Sequence, residues 1–187
     1  MPILGIMASS RPAFELVGSY DSLATVTLSA STASITFAGI PAGYKHLQIR
    51  GIARNTQSGT GAEAVKATFN SDTGSNYSRH RLYGNGTSAA TAANSSTTFV
   101  AIGISAEGGE TAGIFDALVC DILDYANTTK YKTIRALYGQ DSNATGYQEV
   151  GLYSGLWMNT AAITRIDLSN SLGDFAQYSQ LALYGIK

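Results

Sequence analysis

The chain has 187 residues, a length that fits one sandwich or barrel domain and suffices to bury a real core. Only 13% of them are charged, 12 basic against 13 acidic for a net of −1, which excludes an electrostatic case for nucleic acid or an anionic membrane as partner. Solubility falls instead to Ser, Thr, Asn and Gly, and a surface of that kind suits packing against copies of itself.

Residues 1–19 read as an extended arm, apolar at Ile3, Leu4, Ile6 and Met7 and then interrupted by Ser9, Ser10 and Pro12. The start has neither the basic region nor the length of a secretory signal, so synthesis in a cytoplasm is expected. Beyond the arm, apolar and polar residues alternate at period two, the mark of strands with one buried and one wet face. Ala24, Val26 and Leu28 oppose Thr25, Thr27 and Ser29; Ile35 and Phe37 oppose Ser34 and Thr36; Leu47 and Ile49 oppose His46, Gln48 and Arg50. The pattern predicts strands near 21–29, 33–38, 44–54, 64–70, 77–83, 97–105, 112–125, 130–139, 147–158, 163–169 and 178–186. Turn signals separate them, among them Pro41-Ala-Gly43, Ser71-Asp-Thr-Gly74, Asn85-Gly86 and Gly108-Gly109. Residues 84–96 are expected to be a long exposed polar loop. The whole predicts an all-β fold: an antiparallel, jelly-roll-like β-sandwich of about ten strands over residues 20–187, preceded by the arm.

Leu-Tyr-Gly recurs at 82–84, 137–139 and 183–185, with Leu-Tyr-Ser-Gly at 152–155. The unequal spacing is not that of a solenoid. Strands that end alike, each tyrosine packing its ring and wetting its hydroxyl, explain the recurrence; a tyrosine-rich face for a sugar or a protein is the functional alternative.

Few residues offer chemistry. Asp116, Asp121 and Asp124 share one predicted strand, with Asp116 and Asp124 on one face and about 27 Å apart, too far for a catalytic pair. Pairing with Lys130, Lys132 or Arg135 on the next strand accounts for them. Asn70-Ser-Asp72-Thr-Gly74-Ser-Asn76 resembles half a calcium loop, yet Arg81 stands where the closing glutamate belongs, so an Asx-rich turn is expected. His46 and His80 are flanked by Lys45, Arg79 and Arg81 and lack a partner at ligand spacing, so no metal site is expected. No nucleophile, phosphate or dinucleotide motif is present in the sequence, hence no catalytic residue and no cofactor are assigned. Tyr77, Arg79, His80, Arg81 and Tyr83 form the cluster richest in polar and aromatic handles, and are the candidate ligand or receptor surface. Five Asn-x-Ser/Thr triplets, at Asn76, Asn85, Asn94, Asn127 and Asn143, are explained by chance in a chain this rich in those residues. Cys120, the only cysteine, sits in the apolar run Ala117-Leu118-Val119 and is expected to be a buried, inert thiol. Trp157 is expected in the core or at a subunit interface.

Several strings together resemble a family of small tailed-bacteriophage virion structural proteins: Met1-Pro-Ile-Leu-Gly-Ile-Met-Ala-Ser-Ser10, Ile40-Pro-Ala-Gly-Tyr44, Lys45-His-Leu-Gln-Ile-Arg-Gly-Ile-Ala-Arg54, Phe69-Asn-Ser-Asp-Thr-Gly-Ser-Asn-Tyr77, His80-Arg-Leu-Tyr-Gly84, Asp121-Ile-Leu-Asp-Tyr-Ala-Asn127 and Tyr178-Ser-Gln-Leu-Ala-Leu-Tyr-Gly-Ile186. The similarity spans nearly the whole chain, and such proteins carry labels such as tail-fibre or head-decoration protein. The resemblance implies a non-enzymatic virion component, without saying where in the particle. By analogy with viral jelly rolls, a homotrimeric fibre or knob is expected, anchored to other virion proteins through Ile3, Leu4, Ile6 and Met7, with loops meeting a host-surface glycan or protein. A capsid decoration protein stabilising the head shell is the alternative.

Overall fold

The computed structural model describes residues 18–143 and 146–187. The anchoring residues Ile3, Leu4, Ile6 and Met7 lie outside the described residues. Twelve strands are present among those described: β1 (Tyr20–Thr27), β2 (Ser34–Ala38), β3 (His46–Ala53), β4 (Ala62–Phe69), β5 (Tyr77–Gly84), β6 (Ala89–Thr97), β7 (Val100–Ala106), β8 (Asp116–Leu123), β9 (Lys132–Gln140), β10 (Glu149–Trp157), β11 (Arg165–Asn170) and β12 (Gln180–Ile186). They form an antiparallel β-sandwich of an eight-stranded sheet, β1-β12-β3-β8-β9-β10-β5-β6, and a four-stranded sheet, β2-β11-β4-β7.

The pairing is nested. β1 pairs with β12, β2 with β11, β3 with β8 and β4 with β7. The remaining strands come as two hairpins, β5–β6 and β9–β10, and both extend the large sheet beyond β8. At one end Phe37 of β2, Val26 of β1 and Leu183 of β12 line a shared cleft. At the other, β7 packs on β8, β9, β10 and the near side of β5, so the second sheet stops short of β6.

Period-two burial follows the predicted alternation in most strands. Ile35 and Phe37 of β2, Ile166 and Leu168 of β11, and Val65, Ala67 and Phe69 of β4 point inward against Leu47, Ile49, Leu118, Cys120, Ile122 and Ile134 of the large sheet. β7 is buried along its whole length, as its near-continuous Val-Ala-Ile-Gly-Ile run requires. Cys120 is fully buried, and burial pushes its thiol well above the usual range, which keeps it inert.

The expected loop over 84–96 is corrected. Residues 89–97 form β6, paired with β5 from Gly84↔Ala89 to Tyr77↔Thr97 with one register shift between Arg79 and Tyr77, and only the short turn between Gly84 and Ala89 remains. Ala, Asn, Ser and Thr carry no apolar alternation, so nothing in β6 itself advertises a strand; the β5 ladder supplies its structure. An Asn85 side chain accepting from the Thr87 and Ser88 backbone N–H groups closes the hairpin turn.

The turn after β4 behaves as the Asx-rich turn expected of it. Asn70 and Ser71 both take positive φ, 53° and 58°, and the Asp72 N–H donates to the Phe69 carbonyl. The Asp72 carboxylate then accepts from the Gly74 N–H, from Asn76 and from Trp157 Nε1 at 2.8 Å. Trp157 is in the core, stacked with Tyr77 and tilted against Phe69. The Trp157 bond and the two local bonds hold the Asp72 carboxyl below its usual range. Replacing Asp72 by Ala leaves the indole N–H unpaired and should cost about 2 kcal/mol, read by urea denaturation with the fluorescence of the lone tryptophan as probe. An unchanged midpoint would mean that Asp72 is incidental to the turn.

Candidate functional site

β5 carries the predicted surface, and its pleat splits the cluster between two faces. Tyr77, Arg79, Arg81 and Tyr83 point inward, while Ser78, His80 and Leu82 point outward. Tyr77 is fully buried, its hydroxyl donating to the Asp72 carbonyl and accepting from the Phe69 N–H, so it is not part of any ligand surface. Burial pushes its phenol up to about 12.

Arg81 is likewise committed inside. Its guanidinium pairs with Glu149, whose side chain is only 1% exposed, and its Nε donates to Tyr138 Oη at 2.6 Å. Tyr138 in turn donates to Glu149 at 2.7 Å, and Tyr147 donates to the other carboxylate oxygen. The guanidinium also lies 4.1 Å from the Tyr83 ring centre. Arg79 rests against the rings of Phe99 and Tyr153, both 5.6 Å away. These residues line the inner side of the added hairpins where the second sheet no longer covers them. They fill that gap with stacked rings and cations in place of aliphatic packing. His80 alone of the five stands exposed on the outer face.

The three aspartates part company. Asp121 pairs with Arg135 across the β8–β9 ladder, and Asp124 lies between Lys45 at 3.3 Å and Lys130 at 3.0 Å. Asp124 is past the end of β8 with φ 48°, so it does not share a strand face with Asp116. Lys132 does not join them: it is buried, and its ammonium donates to the carbonyls of Asn127, Lys130 and Thr160. His46 accepts from the Asp124 N–H. Among the described residues no cluster of His, Cys, Asp and Glu fits a metal ion.

Asp116 is enclosed at the β8 end, with both carboxyl oxygens unpartnered. Gln140, buried on the neighbouring β9 and also without partners, adjoins Glu149 across the β9–β10 ladder. Burial, followed by the charges of Glu110 and Glu149, pushes the Asp116 carboxyl up to about 8. Burial thus favours its protonated form, and the carboxyl is enclosed within the protein.

The outer face of the large sheet holds what the sequence pattern concealed. Reading across the ladders, one row runs Thr91, Leu82, Leu152, Leu137, Val119 and Arg50 over six adjacent strands. The next row runs Ala89, Gly84, Val150, Gly139, Ala117 and Ile52. Leu82, Leu137, Leu152, Val150, Val119 and Ile52 are 38–60% exposed, an aliphatic surface on the order of several hundred Å², comparable to the largest patch of a typical monomeric protein, which is often a functional one. On its other side a polar row carries Ala93, His80, Ser154, Arg135, Asp121 and Gln48.

The recurrent Leu-Tyr pairs were the sequence signal for this face. In β5, β9 and β10 the leucine points out and the tyrosine in, and register sets Leu82, Leu152 and Leu137 side by side. In β12 the order inverts, with Leu183 buried and Tyr184 turned out. The Tyr138 hydroxyl is not wet as expected: it bonds Glu149 and Arg81, and its ring stacks on Tyr153 with centres 4.9 Å apart. A side chain at Gly151 would collide with that Tyr138 ring, which is why β10 has a glycine there.

Because folded Asp116 holds a proton that the unfolded chain has released, stability should fall as pH rises from about 4 to about 8. Asp116→Asn should flatten that slope, the gap between variant and parent reaching a few kcal/mol above pH 8 and closing near pH 4. Urea midpoints at pH 4.5, 7 and 9 check this; parallel curves would show Asp116 to be ionised in the folded protein.

Comparison of the chain with protein-family models, with curated proteins and with solved structures finds no match.

Proposed function

We propose that this chain is a non-enzymatic structural component of a tailed-bacteriophage virion, a homotrimeric fibre or knob held through its N-terminal arm. The observation that carries the reading is the aliphatic outer face of the large sheet, a surface of the kind that assembly buries. The nested pairing of β1 with β12, β2 with β11, β3 with β8 and β4 with β7 supports reading the sandwich as a jelly roll with two added hairpins. The enclosure of Asp116 and the commitment of Glu149 to Arg81 and two tyrosines support a role without catalysis. Contact with a host surface draws no support from a loop over 84–96, since that segment is largely strand; the β5–β6 turn, Asn85–Ser88, is what the added hairpin presents at its tip.

Immunogold microscopy of purified phage with antibody against this chain tests the reading. Gold on a tail or fibre is the expected result, gold over the head selects the decoration role, and unlabelled virions overturn a structural one. A variant lacking residues 2–10 should fold, with an unchanged urea midpoint, yet be missing from particles; normal incorporation would remove the arm as anchor.

A further inference from the structure

We propose that the outer face of the added strands, β9, β10, β5 and β6, is where another copy of this chain docks. The inference rests on the assembly role proposed above and names the partner of its aliphatic face.

Placement is the first argument. The face lies on the two hairpins that extend the large sheet beyond β8, and among the described residues the last strand, β6, has a neighbour strand on one side only and lies beyond the small sheet. Nearly every residue of this nine-residue strand is exposed. It carries no charge and no proline, two of the usual guards of an open edge, and only a register shift between its Asn94 and Thr97 interrupts the ladder.

Charge selects the occupant. On the outer positions of β8, β9, β10, β5 and β6 the only full charges are Asp121 and Arg135, and these already pair with each other. The face is therefore neutral, with no field to select an acidic or a basic partner. Two copies of it approach without repulsion, a requirement that falls on self-association above all.

Area is consistent with this. With β8, whose Val119 continues the leucine row, the five strands, about 4.8 Å apart and each about 25 Å long, project about 500 Å². The relief of the side chains raises the accessible value toward the ~800 Å² per partner that stable interfaces bury. The central leucines would be the anchors, and His80, Arg135 and Asp121 the polar rim.

Native mass spectrometry and sedimentation equilibrium of the full chain, outside any virion, test the proposal. The unmodified protein should be a dimer or a trimer. In the double variant Leu137→Glu, Leu152→Glu, self-association should weaken by at least roughly 100-fold, given ~1.5–3 kcal/mol for each buried leucine. Both positions are half exposed, so Trp157 fluorescence and urea midpoints should show the fold intact. Hydroxyl-radical footprinting of the unmodified protein gives a second reading that needs no variant, with Leu82, Leu137 and Leu152 protected more strongly as concentration rises. A monomer at all concentrations, or an oligomer indifferent to the two glutamates with those leucines still labelled, overturns the proposal. So does a monomer in which deleting residues 2–17 unmasks the leucines, since the chain's own arm is then the occupant. Self-association of a protein absent from virions would leave this inference standing and remove the virion role. A virion protein that is monomeric in isolation would do the reverse.

Discussion

A sheet of eight strands packed against a sheet of four cannot be dry on one face along its whole width, and the rest of this structure follows from how the excess is managed. Where the small sheet reaches, the answer is ordinary aliphatic interdigitation, with Ile35, Phe37, Ile166 and Leu168 set against Leu47, Ile49 and Ile122. Past β7 that solution runs out. There the large sheet's inner side is filled by Arg79 and Arg81 laid against tyrosine and phenylalanine rings, with Glu149 as the buried counter-charge. An arginine in this setting supplies bulk, five donors and a flat cation for stacking, which aliphatic residues at a sheet margin could not.

The same excess sets the outer face. A sheet margin that is closed inside by polar stacking has its free aliphatic surface on the outside, and the leucines of three Leu-Tyr pairs supply it. On β5 the usual order is thus reversed, with Arg79 and Arg81 turned in and Leu82 turned out. The reversal is a single decision of register. One residue of slip along β5 or β10 would turn the leucines in and force Arg81 and Glu149 into water.

Much of the fold was legible in the sequence because alternation is a local property. Ile35 and Phe37, or Leu47 and Ile49, announce their strands without help from neighbours. β6 was not legible, since Ala90, Ala92 and Ser95 neither alternate nor branch; its strand is imposed by the ladder from β5, a long-range pairing absent from its own residues. The predicted surface cluster is divided for a related reason. Tyr77, Arg79, His80, Arg81 and Tyr83 are near in sequence, but the pleat sends His80 one way and the other four the other. The face that does stand out is composed across strands, from Leu82, Leu137 and Leu152, and no window of sequence contains it. Asp116 reads in the sequence as one of three acids, but its raised carboxyl depends first on burial and then on the charges of Glu110 and Glu149, all of which exist only in the folded protein.

β12 occupies an inner position of the large sheet, hydrogen-bonded to β1 on one side and β3 on the other. Until it arrives, β1 has no neighbour in that sheet and β3 is paired only with β8. The nested order thus gives the molecule a high contact order, with the earliest described strand waiting on the last. On a ribosome this means that the half-made chain holds the edges of its large sheet open through most of synthesis, during which the bare leucines and the unguarded β6 are also available to strangers. Assembly surface and nascent-chain hazard are here the same few square nanometres, separated only by time.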